Sequence, residues 1–219
     1  MTKQAFSEQE IQAVYRVIFE RRDVRHFNSK PVESEQLKRF IEAAHRGPSV
    51  GFMQPWRFVH IRDAALKEAL YQHVNEERQL TAHALGERSA EFMKLKVEGI
   101  LNCAEVLLVG LIDKREDYIF GRRTMPEMDL ASASCAIQNF WLAARAEGIG
   151  VGWVSMFDPE KIREICKMPP GSRPIAILCV GHVDEFTPKP LLEMAAWDER
   201  RALQTIVYQD AWSQASDLF

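Results

Sequence analysis

Apolar residues recur at Ile11, Val14, Tyr15, Ile18 and Phe19, the three- and four-residue spacing that predicts a helix. Ser7 and Glu10 form a capping box before it, with Phe6 placed to staple onto Ile11. A second helix is expected from about Ser34, with Leu37, Phe40, Ile41 and Ala44 on one face, and Gly47-Pro48 ends it because neither residue continues a helix cheaply. Apolar and polar positions alternate from Trp56 to Ile61, as in a half-buried strand, whereas Val106 to Ile112 is an unbroken apolar run suited to a strand covered on both faces. Val151 to Ser155 and Ile175 to Val183 read as further strands, Asp158-Pro159-Glu160 as a capped helix start, and a last short helix is expected after Trp197. From Ala64 to Gly99 the chain is charged and helical in propensity, but Gly86 and weak periodicity around it predict a break between a helix and a lid-like segment. Leu130 to Ala144 carries no charged residue over 15 positions and reads as a helix buried nearly all round. A chain of 219 residues has little room for such a helix, so a dimer core is expected. Strands and helices interleave throughout 1–219 without a repeat, which predicts a single three-layer α+β domain.

Composition narrows the function. Hydrophobic residues make up 47% and charged residues 27%, an ordinary globular balance, and the net charge of −3 offers no basic field for nucleic acid. Any anion site must be local. No apolar run spans a bilayer and the first ten residues lack a signal-peptide pattern, so a cytoplasmic protein without membrane contact is expected. Cys103, Cys135, Cys166 and Cys179 form no CxxC pair and read as buried free thiols; the six histidines show no ligand spacing, so no metal is expected.

Three segments carry candidate chemistry. Arg21-Arg22-Asp23-Val24-Arg25 places three guanidinium groups within five residues, enough to grip a phosphate, although cations at a helix end also simply bond its last carbonyls. Asp23 among them is expected to be held ionised, as an acceptor, a general base or a structural ion pair. Pro48 to Trp56 combines Ser49, Gly51 and Gln54 ahead of a strand, a loop suited to close backbone approach to a polar ligand or a mere turn. Gly148-Ile149-Gly150-Val151-Gly152-Trp153 follows a helix and enters a strand, the reverse of the order a dinucleotide fingerprint needs, and Ser155 lacks a nucleophile elbow.

In this order the three segments resemble the nitroreductase family of FMN proteins, over about Phe6 to Trp212. The resemblance implies a central, mostly antiparallel sheet flanked by helices, and an intertwined homodimer with FMN at the subunit interface. Segment 76–96 would cover the flavin and the tail 184–219 would embrace the partner. Asp23 and Phe52 stand where ordinary members usually carry Ser and Asn, departures shared with a branch that destroys flavin. In that branch reduced FMN is itself the substrate, O2 the co-substrate, and a separate flavin reductase the supplier. The resemblance assigns Arg21, Arg22, Arg25 and tail residue Arg200 to FMN, with Ser49 and Gln54 at its phosphate-ribityl or ring polar edges. Backbone at Gly152 and Trp153 would lie along the isoalloxazine, and Asp23 and Ser155 match the catalytic positions. Asp198 follows the tail Trp197 where the branch tends to carry a basic residue. The competing readings are an NAD(P)H-dependent nitroreductase or flavin reductase and a flavin-binding protein without turnover; neither requires a carboxylate inside the arginine cluster.

Overall fold

The computed structural model describes residues 5–94 and 99–218. They fall into two compact units, Met1–Phe186 and Thr187–Phe219. In the first unit a four-stranded sheet is built from β1 (Trp56–Ile61), β2 (Glu105–Leu111), β3 (Ile149–Val154) and β4 (Arg173–His182), in the order β1-β2-β4-β3. All three pairings are antiparallel.

Alternation sorts the strands into two faces. Leu107, Val109 and Leu111 of β2 with Ala176, Leu178 and Val180 of β4 meet Leu37, Phe40 and Ala44 of α2 (Ser34–His45) and Ala133, Ala136, Ile137 and Phe140 of α6 (Met128–Ala146). Val106, Leu108, Ile177 and Cys179 point the other way, into Leu70 and Val74 of α3 (Ala64–Ala84), Ile100 of α5 (Gly99–Asn102) and Ile162 of α7 (Pro159–Ile165). Two covered faces explain why β2 is apolar at successive positions, and they give the expected three layers.

Helix α1 (Glu8–Glu20) forms with its Ser7–Glu10 capping box as expected, yet buries none of its residues within the chain, and Phe19 stays 70% exposed. Within the single chain one face of α6 packs on the sheet, while Leu130, Ala131, Cys135 and Gln138 are exposed, the face that another chain would have to cover for the helix to be buried nearly all round. Cys135 therefore departs from the expectation of buried thiols; Cys103 and Cys179 are buried and Cys166 half-buried. Gly86 (φ 55°) breaks the chain after α3 as the sequence suggests, and α4 (Ser89–Phe92) follows. Leu95 and Lys96, the last residues of the lid segment read from the sequence, lie outside the described residues.

The second unit carries α8 (Leu191–Met194) and, where a last short helix was expected, a single 3-10 turn at Leu203–Thr205. None of its described residues is buried, and Ile206, Trp212 and Leu218 are open. No helix among the described residues is long and apolar enough to cross a membrane.

Candidate active site

The Arg21–Arg25 segment leaves α1 as extended chain beside the edge strand β3. Val24 N–H donates to Val151 O at 3.0 Å, and Asp23 bridges to Val151 in parallel. Gly152 makes this approach possible: a Cβ there would stand 2.2 Å from Val24 O. The resemblance gives the backbone at Gly152 to the flavin ring; within the chain the lack of a side chain there serves the packing of this ribbon.

Asp23 is the hinge pin of the arrangement. Oδ1 accepts from Trp153 N–H at 2.9 Å, and Oδ2 pairs with Arg25 Nη2 at 2.5 Å. The same nitrogen donates to Trp153 O at 3.1 Å, so Asp23 and Arg25 together satisfy both main-chain groups of Trp153. Arg25 is 28% exposed at its side chain, and its Nε and Nη1 make no bond among the described residues, which leaves donors for an anion or a carbonyl. A carboxylate offers about four acceptor positions, and two are used here. Burial pushes the Asp23 carboxyl above the ordinary aspartate value, against Arg25, the Trp153 N–H and Arg21, which pull it down. The arginines favour the ionised form, as the sequence implies, and desolvation opposes them and sets the direction of the shift.

Arg21 stacks on Trp141, its guanidinium 4.5 Å from the ring centroid, and Trp141 Nε1–H donates to Arg22 O at 3.1 Å. Arg22 Nη1 donates to Phe19 O and Arg21 O, each at 2.8 Å, the helix-end role that the sequence left as its alternative. Ser155 follows β3 directly and is exposed. Arg200, in the second unit, is exposed beside the Asp198–Arg201 pair.

Ser49 and Gln54 sit in a different framework. Ser49 Oγ accepts from Gln54 N–H at 3.1 Å, Val50 N–H donates to Ser132 Oγ at 3.0 Å, and Gln54 Nε2 donates to Phe52 O at 3.2 Å. Gly51, Phe52 and Gln54 all have positive φ (52°, 55° and 49°). Such backbone costs on the order of 1–3 kcal/mol at each non-glycine position and marks sites where the surroundings impose it. Here the surroundings are visible: a Cβ on Gly51 would lie 2.8 Å from Phe120 O, and one on Gly121 2.3 Å from Val50. That neighbouring segment is fastened by Asp129, buried, whose Oδ2 takes Arg115 Nε at 2.9 Å and Arg122 Nε at 3.2 Å. A cleft of about 630 Å³ opens beside the loop, lined by Ile41, His45, Phe52, Gln54, Trp56 and Tyr118 among others, and none of Arg21, Asp23, Arg25 or Ser155 borders it.

The sequence reading missed Trp141 and the Arg115–Asp129–Arg122 triad. Trp141 had a signal, an aromatic with a polar edge on a charge-free helix. The triad had none, because Arg115 opens a single 3-10 turn and Arg122 stands in the irregular chain after it.

The family model described as Nitroreductase family matches residues 18–182, which span every element described around Asp23 and Ser49. The chain belongs to the nitroreductase family. Curated relatives include the 5,6-dimethylbenzimidazole synthase of Rhodospirillum rubrum, 39% identical over 83% of this chain and 87% of that protein, and that of Rhodobacter capsulatus, 36% identical over 85% and 91%. Among solved structures, an oxidized iodotyrosine deiodinase bound to FMN and 3-iodo-L-tyrosine shares the nitroreductase fold, with a TM-score of 0.67 at 22% identity over 80% of this chain and 92% of that one.

Proposed function

We propose that this nitroreductase-family protein uses O2 to fragment reduced FMN into 5,6-dimethylbenzimidazole, the lower ligand of cobalamin, and erythrose 4-phosphate. The observation that carries the reading is Asp23 itself: a carboxylate inside the arginine segment, locked to Trp153 N–H and Arg25 at the edge of β3. The two synthases of similar sequence and length support it.

Reduced FMN is substrate, not a resident cofactor. The donor set fits such a molecule: Arg25 retains unbonded guanidinium nitrogens beside an acceptor with spare lone pairs, and Ser155 presents a hydroxyl at the strand end. Arg21 and Arg25 hold the phosphate-bearing molecule, with Arg22 shaping the helix end they leave from. Ser49 and Gln54 meet its polar edges, and Gly152 and Trp153 present their backbone to the ring. Asp23 takes a proton at the ribityl chain, for which it must come within hydrogen-bond reach of the reacting group. Its raised pKa makes it a stronger base than an ordinary aspartate. Ser155 orients the flavin by a hydrogen bond, a role in which loss of one donor costs on the order of 10²–10³ in rate.

The site is completed by a second copy of the chain. The cleft beside Ser49 and Gln54 lacks Asp23 and Arg25, and the open faces of α1 and α6 together with the coreless second unit supply apolar surface for a partner subunit. Electrons arrive on reduced FMN made by a separate flavin reductase.

The test is to mix anaerobically reduced FMN bound to the protein with aerated buffer, without NAD(P)H. Permanent loss of the oxidised-flavin absorbance, in proportion to the protein's turnover, is expected. Full return of that absorbance would overturn the proposal, as would steady NAD(P)H oxidation with FMN intact in a parallel assay to which NAD(P)H is added.

A further inference from the structure

Helix α3 buries Leu70, His73, Val74, Arg78 and Ala82, so two polar side chains sit on its core-facing stripe. Each takes a main-chain partner from elsewhere: Arg78 Nη2 donates to Met93 O, while its buried Nε has no partner among the described residues, and His73 Nε2 accepts the Asp158 N–H at 2.9 Å. His73 is 7% exposed and reaches across 85 residues of sequence to do this. Because Nε2 accepts, the ring proton lies on Nδ1, which faces Glu76 Oε2 at 3.7 Å.

The Asp158 amide stands at the end of a tight turn. β3 finishes at Val154, paired with Ile177; then Ser155 O accepts from Phe157 N–H at 3.1 Å, and the Asp158 carboxylate caps α7 at Glu160 N and Lys161 N. Ser155 is thus suspended between the sheet ladder on one side and the His73-held amide on the other, its own side chain making no bond among the described residues. A helix-capping residue on a surface would leave this amide to water. Here a buried acceptor is aimed at it instead.

We propose that His73 is a positioning residue that sets the Ser155 hydroxyl through the Asp158 main chain. The inference rests on the role given to Ser155 above. Displacing an aligned group by about 1 Å costs on the order of 10²-fold in rate, and loss of the His73 acceptor frees the turn by that order.

The experiment compares the wild-type protein with His73→Leu, His73→Gln, Ser155→Ala and the double variant His73→Leu/Ser155→Ala. The readouts are kcat and KM for reduced FMN in air, and hydrogen–deuterium exchange of the peptide covering 155–162. His73→Leu is expected to lose about 10²-fold in kcat with KM unchanged and to exchange faster over 155–162. Gln, whose carbonyl can accept the same amide, restores both. In the Ser155→Ala background the Leu substitution costs nothing further. Wild-type kcat in His73→Leu, unchanged exchange, or a full additional loss in the Ser155→Ala background would each overturn the proposal. If His73→Leu does not fold, His73→Gln and His73→Asn decide the matter: Gln retains the rate and the shorter Asn does not, and equal rates overturn it. Absence of product from the wild-type protein would defeat the functional reading, while the exchange comparison still decides whether His73 holds the turn.

Discussion

Gly152→Ala is the sharpest perturbation of the site framework, because it adds one carbon at a point where two strands of backbone touch. That carbon would lie 2.2 Å from Val24 O, and relief to the 3.0 Å below which such contacts are essentially not found requires a shift of about 0.8 Å. Val24 O belongs to backbone and cannot rotate away. The ribbon it belongs to is tied to β3 by Val24 N–H to Val151 O at 3.0 Å and by Asp23 Oδ1 to Trp153 N–H at 2.9 Å, so the shift weakens both bonds. Overpacking of this kind costs about 1–3 kcal/mol, and each weakened hydrogen bond adds about 1 kcal/mol. The same displacement carries Asp23 off its alignment, for which a loss of about 10²-fold in product formation is expected. Gly148→Ala is the control. It has positive φ (76°) but nothing within 4 Å of a new Cβ, so it pays only the backbone strain, about 1 kcal/mol, and keeps its rate. Urea unfolding gives the stability and product chromatography the rate. Stability within about 0.5 kcal/mol of wild type together with full rate in Gly152→Ala would refute the packing argument.

Asp23→Asn retains an oxygen for Trp153 N–H but no base, so FMN binding is kept while product formation falls by at least about 10²-fold; wild-type yield would remove Asp23 from the chemistry. Burial raises the Asp23 pKa in the folded state, so the group contributes stability that is present at acid pH and lost as pH rises through that raised value. The stability of wild type relative to Asp23→Asn should therefore decline with rising pH just above the ordinary aspartate range, as pH-dependent unfolding would report. Asp129→Ala leaves the half-enclosed Arg115 and Arg122 without their carboxylate and should lower stability by about 3–5 kcal/mol in urea titrations, loosening the loop around Ser49. Phe19→Glu puts a charge on the open face of α1 and should convert the proposed dimer to a monomer in sedimentation velocity, with loss of FMN affinity; an unchanged sedimentation coefficient would remove α1 from the interface.

Periodicity was enough for the layers. Leu107, Leu108 and Val109 are apolar in succession because helices cover both sides of β2, and the Ser7–Glu10 cap, the Gly47-Pro48 stop and the Asp158-Pro159 start mark helix ends by local chemistry alone. Exposure was harder to read. The charge-free stretch of α6 looks the same whether its second face meets its own chain or another, so Cys135 and Leu130 could not be placed. Within the site, the arginines, Asp23 and the loop glycine were visible as residue types, but their partners are distant in sequence: Asp23 meets Trp153 across 130 residues and His73 meets Asp158 across 85. Such pairings follow from strand order, which no local pattern encodes. His73 still left a trace, since it falls between Leu70 and Val74 on the buried stripe of α3.

The central claim, that the flavin is consumed and not recycled, is tested most directly by labelling. FMN carrying carbon-13 at the ribityl carbon attached to the ring is chemically reduced and mixed with the purified protein in air, without NAD(P)H, and the products are separated and weighed by mass spectrometry. The account predicts 5,6-dimethylbenzimidazole carrying the label. Unlabelled product, or complete recovery of labelled FMN from a folded protein that binds it, would contradict the account.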